Sequence, residues 1–269
     1  MTATTATPPT FTDEQSGRST FVRDALTVFR RAMRISLRNP VWAVMGLLQP
    51  VLYLSLFGPL LEPLAPQLGA TNAYQLFVPG LLVQLGMFGA LFVGFGLIGE
   101  WRDGVIEAER VTPASRTALL MGRLWRDVLQ LFVQALILVG LGYLIGMEAP
   151  LGGAVLGIAL TLLLGAACAA SSNALALTTK SEDVMAPVIN MVMMPVLLLS
   201  GILLPMTLGP KWLQSVSDWM PFKWVTDGVR TSFSGDFARD PMLYGTLWAA
   251  VLFVVALWWG TATFRKENA

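Results

Sequence analysis

Between Glu100 and Asp127 the chain places ten charges in 28 residues, five acidic (Glu100, Asp103, Glu107, Glu109, Asp127) and five basic (Arg102, Arg110, Arg116, Arg123, Arg126). The segment is neutral overall. An anionic lipid surface selects a basic patch, whereas interspersed charges of both signs suit a registered contact with another protein, where complementarity fixes orientation and excludes wrong partners. An ordinary charged loop has the same composition, so the residues alone leave both readings open. Glu107 and Arg110 stand three apart, the spacing of an ion pair on one helix face. Thr112 followed by Pro113 reads as an N-cap and a first-turn proline, so a further helix is expected to start there.

Other chemistry is excluded by what is missing. There is no histidine, which removes histidine-based triads, histidine-ligated zinc and imidazole proton relays. The single cysteine, Cys168, lies between Ala167 and Ala169 in an apolar run and reads as a buried structural thiol. No G-x-x-x-x-G-K-[ST] loop occurs, so ATP is not hydrolysed on this chain by that route. No catalytic residue, metal site or resident cofactor is expected.

The elements that must carry the charged segment are membrane helices. Hydrophobic residues make up 55% of the 269 and charged residues 13%, where a soluble domain carries about 25% charge; the mean hydropathy is +0.63. Six runs are free of charge: Asn39 to Leu61, Pro63 to Gly99, Val128 to Met147, Ala149 to Thr179, Val184 to Pro210, and Pro241 to Phe264. About 20 apolar residues at about 1.5 Å rise cross a hydrocarbon layer of about 30 Å, so each run holds one helix. The expected spans are 41–61, 74–99, 128–147, 152–178, 184–205 and 241–263, an all-α membrane domain over 41–264. Barrel strands are rejected because the runs do not alternate with polar residues. No ionisable residue interrupts a run, which argues against proton-coupled carriage.

Six crossings put both termini on one side. Assigning that side to the cytoplasm places 14 Lys and Arg residues inside and leaves Lys211, Lys223, Arg230 and Arg239 outside, the bias that fixes N-in, C-in orientation. Residues 1–19 read as a disordered cytoplasmic tail and 265–269 as a short one. Over 20–38, Val22, Leu26, Phe29, Met33 and Leu37 form an oily stripe opposite Arg23, Arg30, Arg34 and Arg38, and Asn39-Pro40 ends the helix. It is expected to lie flat against anionic lipid; the competing reading docks it on protein.

Span five holds Pro187 and Pro195 with Met191, Met193 and Met194. Prolines kink helices and methionine offers an adaptable apolar surface, so Met191, Met194, Pro195, Ser200 and Gly201 are candidates for lining a path for a hydrophobic compound; gap-filling packing is the alternative. In span four, Gly153, Gly157, Gly165 and Ala169 permit close helix approach, read as packing within the chain. Between spans five and six, Trp212, Val216 and Trp219 recur at helical spacing, Pro221 breaks that helix, and a second follows through Asp227 and Arg230. Tryptophan favours a headgroup layer, and Asp227 and Arg230 read as a structural ion pair.

The basic helix, the run GEWRDGVIEAERVTPASRTALLMGRLWRD, and the stretch from Thr178 through Ser200-Gly201, Pro205, Pro221 and Asp227 to Arg230 together resemble the membrane subunits of type-2 ATP-binding-cassette exporters, in particular the daunorubicin-resistance drug-export permeases. The resemblance covers about residues 20–266. It implies that Glu100, Arg102, Asp103, Glu107, Glu109, Arg110, Thr112 and Pro113 form a cytoplasmic coupling helix seated in a separate ATPase. It further implies that ATP and Mg are held by that partner, and that two permeases and two ATPases make the working unit. Trp212, Trp219, Pro221, Asp227 and Arg230 would then belong to a re-entrant pair near the outer exit. The implied protein is a multi-pass permease of a bacterial-type inner membrane that exports drug-like hydrophobic or amphipathic molecules, with no nucleic-acid partner. The alternatives are export of a lipid or lipid-linked glycan, or an ATPase-independent carrier or channel.

Overall fold

The computed structural model describes residues 17–39, 41–66, 72–110, 116–203, 206–237 and 240–267. Among them every regular element is a helix: α1 Gly17–Arg38, α2 Val41–Leu61, α3 Ala73–Leu91, α4 Val93–Arg102, α5 Val105–Arg110, α6 Arg116–Ile145, α7 Leu151–Thr179, α8 Glu182–Leu199, α9 Lys211–Asp218, α10 Pro221–Ser234 and α11 Asp240–Glu267, with short 3-10 turns at Glu62–Leu64 and Met206–Leu208. Six stretches are long and apolar enough to cross a membrane: Val44–Leu61, Ala73–Arg102, Thr117–Ile145, Leu151–Thr179, Glu182–Leu199 and Asp240–Thr263. The chain thus has the six long apolar stretches of a membrane protein, with α3 and α4 sharing the second.

The span edges differ from the sequence expectation where polar groups are absorbed. The helix of the third span is already formed at Arg116, well before the apolar run from Val128, in keeping with the helix expected from Thr112-Pro113, and its charged turns pack on α1 and α4. The fifth stops at Leu199 instead of 205, because Gly201 takes a left-handed backbone (φ +66) that ends the helical course. At the ends, α1 already begins at Gly17 and α11 continues to Glu267. Residues 1–16, 268 and 269 lie outside the described residues.

α7 is the centre of the bundle. It buries Leu160, Leu164 and Cys168 with a series of small residues, and three of its four glycines each seat a neighbour. A Cβ on Gly153 would strike the Ser232 carbonyl of α10, one on Gly157 the Phe233 ring, and one on Gly165 the Leu131 side chain of α6. These glycines pack within the chain, as read from their spacing. Lipid is as apolar as leucine, so such close approach, not hydrophobic burial, is what binds helices here. The break between α3 and α4 has the same origin. Ser172 of α7 inserts its hydroxyl into the ladder, accepting from Gly94 N at 3.0 Å and donating to the Leu91 carbonyl.

α1 lies along the first turns of α6. Ala25 and Ala32 are buried, Gly122 leaves room for Ala25 and Val28, and Ser36 Oγ donates to Gln130 Oε1 at 3.2 Å. The docked stripe is therefore Ala25 and Ala32, adjacent to the oily stripe singled out in the sequence. Val22 and Leu37 of that stripe stay exposed, as do Arg23, Arg30, Arg34 and Arg38.

Candidate functional site: charged end, open helix face and tryptophan hairpin

Three parts of the bundle carry the candidate residues. The first is the end where α4, α5 and the start of α6 meet. Gly104 (φ +74) turns the chain out of α4 into α5, and Ile106 is buried while Glu107 and Asp103 are exposed. Arg123 on α6 sends Nε and Nη2 to a single oxygen of Glu100, at 3.0 and 2.7 Å. Arg102 meets Glu182 at the start of α8 at 3.1 Å. Two of the residues assigned to a partner contact, Glu100 and Arg102, are thus used inside the chain to brace α4 against α6 and α8. The two braces differ in strength. Arg123 is nearly inaccessible, so its bidentate bond is strong, while the Arg102 pair is half exposed and screened. The backbones of Glu109 and Arg110 continue α5, and their side chains, with Thr112 and Pro113, lie outside the described residues.

Asp127 was not singled out for any role by its place in the sequence. It sits on α6 with 8% of its surface accessible, held by Arg126 through one carboxylate oxygen. Charge-free runs hid it, because the run was counted from Val128 while the helix starts well before it.

The second part is α8. One stripe, Met185, Ile189, Met193 and Val196, is buried, with Met185 pressed onto Gly94. The rest of the helix faces away from the chain: Met191 is 81% exposed, and Val188, Val192, Met194, Pro195 and Leu198 share that surface with Asn190. Met191, Met194 and Pro195 therefore come together. Ser200 and Gly201 do not join them: both are buried, and the Ser200 hydroxyl is spent on the Val196 carbonyl of its own helix.

The third part is the α9–α10 hairpin, turned by Met220 and Pro221. Trp212 and Trp219 are exposed, Trp219 at 89%. Lys223 ties the pair together, donating to Asp218 at 2.7 Å, reaching Asp227 at 3.5 Å, and lying 4.5 Å over the Trp224 ring. α10 buries Val225, Val229 and Phe233 against α7 and α11, where Gly228 and Gly245 nearly touch. The expected Asp227 to Arg230 bridge is replaced. Asp227 pairs with Lys223 one turn away, and Arg230 turns inward to donate Nη2 to the Ile202 carbonyl at 3.0 Å. Burial pushes the Arg230 guanidinium down to about 10, against the pull of Asp227. It also raises the Asp227 carboxyl, with the opposing charges of Arg230 and Lys223 offsetting part of the effect.

The ABC-2 type transporter membrane family matches residues 23–234. The chain belongs to that family. It is 27% identical over 225 residues to the daunorubicin resistance ABC transporter permease protein DrrB1 of Streptomyces coeruleorubidus, covering 82% of this chain and 79% of the relative. It is also 26% identical over 218 residues to the putative transport permease ycf38 of Cyanophora paradoxa, covering 80% and 75%. The match spans the α1 dock, the charged end, α8 and α10, so all three parts belong to the shared framework. The chain is a membrane transport permease, and its family implies an ABC ATPase partner.

Proposed function

We propose that this chain is the permease half of an ATP-driven exporter for hydrophobic or amphipathic small molecules, working as two copies with two separate ATPase subunits in a bacterial-type inner membrane. Both termini and the α5 end face the cytoplasm, as the lysine and arginine bias favours. ATP and Mg belong to the partner subunit. α5, with exposed Asp103 and Glu107, is the docking element, and Glu109, Arg110, Thr112 and Pro113 complete it.

The observation that carries the reading is α8. A span that buries one stripe and leaves a broad, methionine-bearing apolar face uncovered needs another surface, and a second copy across a path for a lipophilic cargo supplies one. Movement at α5 passes into α4, then through the strong Glu100–Arg123 brace to α6 and through the weaker Arg102–Glu182 pair to α8. The weaker link is the one that can open and close, so α8 shifts relative to α4 while α4 and α6 move as a unit. At the far end the α9–α10 hairpin, with Trp212 and Trp219 at the outer headgroup layer, lies beside the exit. Pro221, Asp227 and Arg230 set its turn and its inner contacts.

The test is co-purification and reconstitution with a separately produced ABC ATPase encoded beside the permease. Nucleotide-dependent efflux of a lipophilic fluorescent dye from vesicles supports the proposal. Equal transport by the permease alone overturns it in favour of a carrier, and transport confined to lipid-linked sugars moves it to glycan export.

A further inference from the structure

The break in span two is an exchange of hydrogen bonds. In an unbroken helix the N–H groups of Gly94 and Phe95 would reach the carbonyls of Ala90 and Leu91. Here Gly94 N donates to the Ser172 hydroxyl at 3.0 Å, that hydroxyl donates to the Leu91 carbonyl, and Phe95 N falls back on the Phe92 carbonyl at 3.2 Å. One side-chain oxygen of α7 thus serves as acceptor and donor together, for an N–H and a carbonyl that the bend takes out of the ladder.

The adjacent Ser171 shows the other place such a hydroxyl can go. It donates to the Ala167 carbonyl, one turn back in its own helix, at 2.9 Å. The same rotation at Ser172 would send its hydroxyl to the Cys168 carbonyl and return Gly94 to Ala90 and Phe95 to Leu91. The bent form holds three hydrogen bonds at the break, and the straight form would hold as many, so packing chooses between them. Gly94 is pressed against the Ser172 backbone carbonyl, its hydroxyl and the Met185 methyl of α8, with no room for a Cβ, whereas Gly96 and Gly99 further along α4 have nothing within 4 Å of a Cβ position. The helix is gripped at its first turn and has an open side beyond it. Two packed arrangements of nearly equal bonding are what a switching element requires.

We propose that Ser172 is the positioning residue of a two-state joint in span two. With its hydroxyl in the ladder, α4 is bent from α3; with its hydroxyl returned to α7, the two become one helix. α4 leads through Gly104 into α5 and carries Glu100, which is tied to Arg123 of α6, so the joint sets where the charged end stands relative to α7 and α8. Engagement of an ATPase as the force that throws the joint rests on the export reading; the hydrogen-bond exchange does not.

Val93-Gly94 and Val139-Gly140 are the two Val-Gly pairs of the chain. Labelling valine at the carbonyl carbon and glycine at the amide nitrogen therefore yields two linked signals by solid-state NMR of the full chain in lipid bilayers, with Gly140 of α6 as the internal reference. Ser172→Ala should shift the Gly94 signal and leave Gly140 in place. Ser171→Ala, the same truncation one residue earlier, should shift neither. In the complex with an unlabelled ABC ATPase, a non-hydrolysable ATP analogue should move the native Gly94 signal to the position it takes in Ser172→Ala without nucleotide. A Gly94 signal unmoved by Ser172→Ala, or moved equally by both variants, overturns the exchange. A complex whose Gly94 signal ignores the nucleotide overturns the joint as a switch and leaves the export reading standing, whereas failure of any complex to form overturns that reading and the nucleotide step with it. The nucleotide arm uses the native chain, so it decides even where Ser172→Ala does not fold.

Discussion

Arg230 Nη2 donates to the backbone carbonyl of Ile202 at 3.0 Å, and Gly80 of α3 stands against that same carbonyl with no room for a Cβ. The contact sits where α8 has just ended and Gly201 has turned the chain. The Ile202 carbonyl lies three residues past the end of α8, outside any helical ladder, and it is taken by a guanidinium from α10. The Nε and Nη1 of Arg230 are buried without a hydrogen bond to any described residue, so the side chain is held at a cost in desolvation.

Two substitutions therefore separate packing from strapping. Gly80→Ala should destabilise by about 1–3 kcal/mol, because the Ile202 backbone must move to admit the methyl, and a lowered melting temperature in detergent measures it. Arg230→Met removes a poorly satisfied buried charge and should leave the melting temperature near native. It should still free the α8 end, read as faster labelling of a cysteine placed at Leu199 in a Cys168→Ser background. If both variants melt like the native chain and label alike, the strap has no mechanical role.

The two ion pairs of α4 predict opposite outcomes from similar changes. Glu100→Gln leaves the buried Arg123 without its carboxylate and should cost about 3–5 kcal/mol. Arg102→Gln breaks a pair exposed on both sides and should cost under about 1 kcal/mol. Thermal unfolding of the two variants side by side checks the ranking, and equal losses would show that α4 is held by packing alone.

α7 offers an internal control for the packing argument. Gly152 has open space where a Cβ would go, whereas the adjacent Gly153 meets the Ser232 carbonyl of α10. Gly152→Ala should be neutral or stabilising by up to about 1 kcal/mol through helix propensity. Gly153→Ala and Gly157→Val should each lower stability and detach α10, seen as loss of protection of the Phe233 region in hydrogen exchange. A drop for Gly152→Ala as large as for Gly153→Ala would contradict the close approach described above.

On α8 the expected pattern is a stripe. Cysteines at Met191 and Met194 should react with a membrane-permeant maleimide, and those at Met185, Ile189 and Met193 should stay protected, since the first pair is exposed and the other three are buried. Slowing of Met191 and Met194 labelling by a transported dye would place the cargo on this face. Uniform reactivity around the helix would mean that α8 does not hold the packing described.

The sequence made the helices legible because charge-free runs and membrane thickness leave one solution per run, and the small-residue spacing of Gly153 and Gly157 pointed to packing that the bundle contains. Helix ends were less legible. The helix expected from Thr112-Pro113 carries Arg123 and Asp127, but nothing in the local sequence reveals that Glu100, 23 residues earlier, returns to meet Arg123. The Asp227 pairing failed for a similar reason: Lys223 and Arg230 are both within one helical turn, and only the inward position of the Ile202 carbonyl decides which of them is drawn away. Methionine content found α8, yet could not tell its buried Met185 and Met193 from its exposed Met191 and Met194, since period 3.6 places both kinds in one short run.

These placements sharpen the coupling prediction. With Glu100 and Arg102 spent inside the chain, the acidic groups left on the surface at this end include Asp103 and Glu107, and they should carry the contact with the ATPase. Asp103→Lys with Glu107→Lys reverses two exposed charges, which should change stability by less than about 1 kcal/mol. The same change should abolish co-purification with the ATPase, because like charges facing each other across an interface cost several kcal/mol. Compensating acidic substitutions on the ATPase cleft should restore the complex. Glu100→Lys, in contrast, should lose the complex only by unfolding, and no change on the partner should rescue it. Gel filtration of the pair alongside thermal unfolding of the permease alone distinguishes the two. Retention of the complex by the double reversal would move the docking surface away from Asp103 and Glu107.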